Sequence, residues 1–177
     1  FKDEKGEINI EKVIDVKSID NKILPVPMPG LITDILISMD DKYLYFSNWL
    51  HGDLRQYDIS DPSKPILTGQ VWIGGLLGKA DQVNGRNVSG APQMIQLSLD
   101  GKRLFVTTSL FSSWDNQFYP NMKNDGGMVL IVDCDNKNGG MKIRNDFLID
   151  LSKEPNGPSR AHETRYPGGD CSSDIWI

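Results

Sequence analysis

Residues 31–59 read LITDILISMDDKYLYFSNWLHGDLRQYDI, and this stretch decides the fold. Apolar residues alternate at Ile35 and Ile37, return at Tyr43, Tyr45 and the 46–49 run, and return again at Leu54, Tyr57 and Ile59. Alternation with a period of two is the pattern of a strand with one face buried, so three short strands are expected. Between them, Asp40-Asp41-Lys42 and His51-Gly52-Asp53 punctuate the pattern. Aspartate side chains bond nearby backbone groups and glycine tolerates positive φ, so the chain reverses at both places and the three strands form an antiparallel meander. His51 then falls on a connection, where functional groups concentrate.

The same unit recurs. QMIQLSLDGKRLFVTT at 93–108 overlays DILISMDDKYLYFS, with Ser38 matching Ser98, Asp40 matching Asp100, Lys42 matching Lys102, Leu44 matching Leu104 and Ser47 matching Thr107. A repeated unit of four short strands at a period of several tens of residues points to a radial or stacked β architecture, and the S-x-D-[DG]-K hairpin favours an all-β fold of the β-propeller type. One four-stranded sheet leaves both faces wet, so such units must stack to bury their alternating residues.

Working outward, the first blade is expected over 33–73, with strands at 33–38, 43–48, 53–59 and 66–73. The second is expected over 93–150, with strands at 93–98, 103–109, 128–133 and 142–150. Upstream, INIEKVIDV at 8–16 reads as an outer strand of a preceding blade, and KILPVPMPG at 22–30 as an extended proline-rich connector. Downstream, 171–177 reads as a closing strand. The glycine-rich stretch 74–91 is an excursion between blades and a candidate lid. The 110–127 connection is read as a swollen polar loop carrying Trp114, Phe118 and Tyr119, which serve either as a hydrophobic plug or as a wall against substrate.

Two complete repeats plus strand pieces make about three blades, whereas a propeller closes with about four or more, so the chain reads as the C-terminal part of a larger ring. With 19 Lys and Arg against 24 Asp and Glu, the formal charge is −5, without a basic cluster, which argues against nucleic acid as the main partner. No apolar run approaches the roughly 20 residues of a transmembrane helix. Nor does FKDEKGEINIEK resemble a secretory signal. Two cysteines, Cys134 and Cys171, do not make a disulfide framework, which points to a reducing intracellular setting; both read as structural thiols.

The chain has only two histidines. In a four-stranded antiparallel blade, the connection after the second strand and the connection leaving the fourth open on the same face. His51 lies in the first kind and His162 in the second, so both are expected to project from one rim. Asp53, Glu163, Arg165 and Asp170 share these loops and supply carboxylates that could orient the imidazoles or bind a cation. Against this stands the plainer reading of two hydrogen-bonded rim histidines. Zinc or copper needs three or four donors, so a metal centre would require further ligands.

The stretches MPGLITDILISMDDKYLYFSNWLHGDLRQYDISDP, GAPQMIQLSLDGKRLFVTTSLFSSWDNQFYP and AHETRYPGGDCSSDIWI resemble the C-terminal portion of the selenium-binding protein family, which includes methanethiol oxidases. The resemblance implies a seven-bladed propeller in the cytoplasm. It also implies oxidation of methanethiol with O2 and water to hydrogen sulfide, formaldehyde and hydrogen peroxide, by histidine-bound copper. His51 in WLHGD and His162 in AHE match the family's motif histidines and would be the catalytic and metal residues, with Asp53 and Glu163 behind them. Two departures stand out: the excursion after Gly75 is shorter than in animal and plant members, and the family's remaining histidines and selenium-linked cysteine belong to an N-terminal part. The segment alone is therefore expected to be inactive without that part of the same propeller. Two alternatives are a non-catalytic scaffold that binds selenium species or serves protein transport or xenobiotic sensing, and a lactone-type hydrolase with Asp34 and Asn48 on calcium.

Overall fold

The computed structural model describes residues 4–165. The repeated hairpin turn sets its architecture. In the first copy Ser38 Oγ donates to Asp40 Oδ1 (2.6 Å) and accepts from the Tyr43 amide (2.9 Å), while Asp40 Oδ1 also takes the Lys42 amide (3.3 Å). In the second, Ser98, Asp100, Lys102 and Arg103 repeat all three bonds at 2.5, 3.0 and 3.2 Å. Each turn thus satisfies its own backbone donors with short side chains, which fixes where the strands reverse and hence their register.

Around the first turn run β1 (Ile32–Ile37), β2 (Tyr43–Asn48), β3 (Asp53–Asp58) and β4 (Ile66–Trp72). Around the second run β5 (Ile95–Leu97), β6 (Arg103–Thr107), β7 (Met128–Cys134) and β8 (Met141–Asp150). Each set is a four-stranded antiparallel sheet in sequential order. The sheets stack like on like, β1 beside β5 and β4 beside β8. Leu36, Tyr45 and Leu54 on one face meet Ile95, Leu104, Val106 and Leu130 on the other in one buried core. Each such side chain contributes about 1.5–3 kcal/mol by leaving water.

Polar bonds set the stacking register. Asp34 Oδ2 accepts the Ile95 amide at 2.8 Å and Ser47 Oγ donates to the Gln93 carbonyl at 2.7 Å. Gln56, fully buried, donates to Tyr45 Oη (2.9 Å) and takes the Gly140 amide on its own carbonyl oxygen (2.6 Å). The outward faces are apolar as well. Phe46 stacks on Tyr57 (centroids 5.7 Å apart) beside half-exposed Ile35 and Ile37 on the first sheet. On the second, Phe105, Val129, Phe147 and Ile149 line a depression of about 320 Å³.

Two expectations are corrected and two fall beyond the described pairings. Residues 8–16 belong to no strand among the described residues, and Ile8 and Ile10 are 77% and 97% exposed. Ile8 makes a single bridge; a strand needs a ladder partner, and the partners expected for this stretch, the inner strands of a preceding blade, are not among the described residues. The 22–30 connector does not simply run extended: Ile19 and Met28 exchange backbone bonds (2.9 and 2.8 Å), folding it back so that Met28 is fully buried. The 110–127 connection is not a polar loop but carries two short helices, α1 (Ser112–Phe118) and α2 (Met122–Asp125). The expected closing strand at 171–177 lies outside the described residues. No described helix is long and apolar enough to cross a membrane.

Candidate functional site

The β2–β3 connection is held from all sides. The Trp49 amide donates to Leu31 O (2.9 Å), Leu50 to Gly30 O (3.0 Å), Ile73 to Gly52 O (2.6 Å) and Leu76 to Leu50 O (3.0 Å). Gly52 sits at φ +87°, and a Cβ there would lie 2.4 Å from the Gly74 carbonyl oxygen, so only glycine lets the two backbones pass. The ring of His51 is thereby driven inward. It does not project from a rim: its exposure is 0%. His51 Nε2 lies 2.9 Å from the Met28 carbonyl, which can only accept, so Nε2 carries the hydrogen. Nδ1 lies 4.0 Å from Asp53 Oδ1, and both atoms are buried without a hydrogen-bond partner among the described residues. Asp53 Oδ2 is committed, accepting from Arg55 Nε (2.7 Å) and Gln70 Nε2 (2.6 Å).

Over this turn lies the aromatic connection. Fully buried Trp49 meets Phe118 and Tyr119 edge to face (centroids 5.2 and 5.0 Å) and Trp114 at 6.3 Å, and Tyr119 Oη donates to the Trp49 carbonyl at 2.6 Å. Trp114, Phe118 and Tyr119 therefore pack as a plug, although Trp114 and Phe111 keep 41% and 47% of their surface exposed.

His162 reaches the same connection from the other side. After β8 the chain passes over Gly126 and Gly127, where the Gly127 amide donates to Ser159 O (2.9 Å) and a Cβ would meet Arg160 Cα at 3.2 Å. Thr107 Oγ1 donates to the His162 carbonyl (2.6 Å), and His162 Nδ1 donates to the Leu110 carbonyl (2.6 Å). The residue is exposed, and Nε2 has no hydrogen-bond partner among the described residues. Glu163, also exposed, pairs with Arg165 at 3.2 Å.

The structure thus sets His51 beside Asp53, and the charges of Glu163 and His162 act on Asp34, a carboxylate that the copper reading had left out. Burial pushes the Asp34 carboxyl above its ordinary range; the Ile95 and Ile35 amides oppose this, and the Glu163 charge reinforces it while His162 opposes it. The signal for Asp34 was a charge inside the apolar alternation of β1. Asn48, its companion in the calcium alternative, is buried beside Gly30 with both side-chain polar atoms unpartnered. Cys134 is buried and free, and Cys171 and Asp170 lie outside the described residues. Among the described residues no three His, Cys, Asp or Glu side chains are arranged to hold a metal ion. They supply two imidazoles, each anchored through one N–H to a main-chain carbonyl, which is how metal-bound histidines are commonly held.

Fold and site together define a stacked β-repeat protein with backbone-anchored imidazoles on its connections. The family profile described as "56kDa selenium binding protein (SBP56)" matches residues 1–177. The chain belongs to the selenium-binding protein family. It is 58% identical to the methanethiol oxidase of Rattus norvegicus and 56% to that of Homo sapiens, in each case over 100% of this chain and 41% of the relative. It is 53% identical to selenium-binding protein 1 of Arabidopsis thaliana, over 100% of this chain and 40% of that protein. The chain therefore spans well under half the length of these curated relatives. Among solved structures, a hypothetical selenium-binding protein from Sulfolobus tokodaii matches with a TM-score of 0.73 and 48% identity, covering 84% of this chain and 31% of that one.

Proposed function

We propose that these residues form part of a seven-bladed propeller that oxidises methanethiol, with O2 and water, to formaldehyde, hydrogen sulfide and hydrogen peroxide. Methanethiol, dioxygen and water are consumed, and formaldehyde, hydrogen sulfide and hydrogen peroxide are formed, all in equal amounts. Atoms balance on that footing: carbon loses two electrons and O2 gains them. The ring is supported by like-on-like stacking of the two sheets and by apolar outer faces suited to further sheets. The chemistry is supported by the relatives' names and, within this chain, by one observation. Each histidine donates one ring N–H to a main-chain carbonyl, and its other nitrogen makes no hydrogen bond among the described residues. His51 Nδ1 and His162 Nε2 are accordingly the nitrogens offered to copper, with further donors from elsewhere in the whole protein. When bound, copper would supply a redox-active centre with affinity for thiolate sulfur. Met28 and Leu110 fix the tautomers, and Asp53 stands beside the nitrogen of His51 that would take the metal.

The test is copper content and peroxide release on adding methanethiol, in the full-length protein and its His51→Ala and His162→Ala variants. Both quantities should fall in both variants. Unchanged copper stoichiometry would defeat the ligand assignment. A wild-type protein with neither copper nor peroxide would favour the non-catalytic scaffold, in keeping with relatives named only for binding selenium.

A further inference from the structure

We propose that Asp115 and Arg160 are positioning residues that fix the tautomer and direction of the His162 imidazole. The inference rests on the reading of His162 as a ligand only for its purpose, since the geometry is that of the chain itself.

Asp115 is an anomaly on its helix: a fully buried carboxylate at the centre of seven residues. Its Oδ1 accepts the Leu110 amide (3.1 Å), and its Oδ2 accepts from Ser109 Oγ (2.6 Å) and Arg160 Nη1 (3.3 Å). The other arm of the guanidinium, Nη2, donates to Asn116 Oδ1 (2.7 Å). Arg160 thus spans α1 from the returning chain, two residues before His162. Leu110 is gripped by the same system on both of its polar groups, its N–H by Asp115 and its C=O by the His162 Nδ1–H. A continuous path therefore runs from guanidinium to carboxylate to Leu110 to imidazole.

Stability is a weak reason for such a pair. Desolvating a carboxylate and a guanidinium costs about as much as their attraction returns, and apolar residues often replace such pairs without loss. What the pair does supply is a single geometry. The carbonyl facing His162 can only accept, so holding Leu110 in place obliges Nδ1 to carry the proton and turns the Nε2 lone pair outward. If Leu110 is released, the ring is free to rotate or to exchange its proton between nitrogens.

The experiment uses the copper-free full-length protein labelled with 15N-histidine, with His162 assigned from the signal lost in a His162→Gln variant. The wild-type ring should show one tautomer, Nδ1–H, with a slowly exchanging ring proton. Asp115→Asn and Arg160→Gln should each give a mixture of tautomers and faster exchange. Arg144→Gln, which removes a distant pair with Asp133, should leave the ring unchanged. Should Asp115→Asn fail to fold, Arg160→Gln decides, its side chain being 14% exposed at the margin of the plug. A single Nδ1–H tautomer persisting in folded Arg160→Gln overturns the proposal. Copper uptake is measured separately: a wild type that takes up none refutes the ligand reading and leaves the tautomer comparison to decide the positioning.

Discussion

Removing one oxygen atom, in Tyr119→Phe, isolates the bond that fastens the aromatic plug to the His51 turn. Tyr119 is 5% exposed and Trp49 0%, and the hydroxyl donates to the Trp49 carbonyl at 2.6 Å. No other bond to that carbonyl is seen among the described residues, so phenylalanine leaves a buried acceptor unpaired, at about 1–3 kcal/mol, or roughly a 5- to 150-fold shift in the unfolding equilibrium. Phenylalanine keeps the edge-to-face contact with Trp49, so the loss belongs to the hydroxyl alone. Burial, reinforced by the Asp115 charge, pushes the phenol far above its ordinary range, so the hydroxyl stays a donor and the loss should be the same from about pH 6 to pH 9. Tyr119→Leu also forfeits the ring pair and should cost about 0.5–1.5 kcal/mol more. Equilibrium urea unfolding of the full-length protein, compared at constant m, measures both steps. A Tyr119→Phe loss below about 0.5 kcal/mol would mean that the carbonyl finds another donor and that the plug is not fastened there.

Glycine substitutions separate conformational cost from collision. Gly78 has φ +61° with nothing within 4 Å of an added Cβ, so Gly78→Ala should cost about 1 kcal/mol; Gly52→Ala, at φ +87° and 2.4 Å from a main-chain oxygen, should cost about 3 kcal/mol or more and displace His51. Thermal melts rank the two variants, and equal losses would refute the close backbone crossing. Cys134 should resist alkylation in the native protein and react on unfolding, as read by peptide mapping, because burial pushes its thiol up to about 12. Its contribution to stability is complete below the ordinary thiol range near about pH 8.5 and is lost as the pH rises toward the folded value. Labelling at neutral pH as fast as in the unfolded chain would contradict the burial.

The sheets were legible because their information is local. Alternation places Tyr43, Tyr45 and Leu54 on one face, and each Ser-x-Asp turn carries the side chains that close it. Residues 8–16 differ: pairing is a property of two segments, and one segment can show only half of it. The helix α1 was missed although Phe111, Trp114 and Phe118 recur at helical spacing and touch in sequence (5.7 and 6.0 Å). Seven residues among Ser, Asp and Asn give a weak helix signal, and what holds α1 in place is Trp49, more than sixty residues upstream.

The candidate site lies where the two repeats stop agreeing. Through the hairpin turns the copies repeat the same Ser, Asp and Lys and the same bonds, because both solve the same reversal. After β2 and β6 they part: Trp49, His51 and Gly52 stand where the second copy has Ser109, Phe111 and Ser112. One copy makes a tight turn with an inward imidazole; the other lengthens into α1 and α2 and closes over its neighbour, offering Leu110 to His162 on its far side. Asp34, a carboxylate where the second copy has Met94, is the same kind of departure on β1. Stacking therefore constrains the shared positions and leaves the unshared connections free to vary, so within this fold the mismatches between repeats, more than the motifs they share, mark the candidate site.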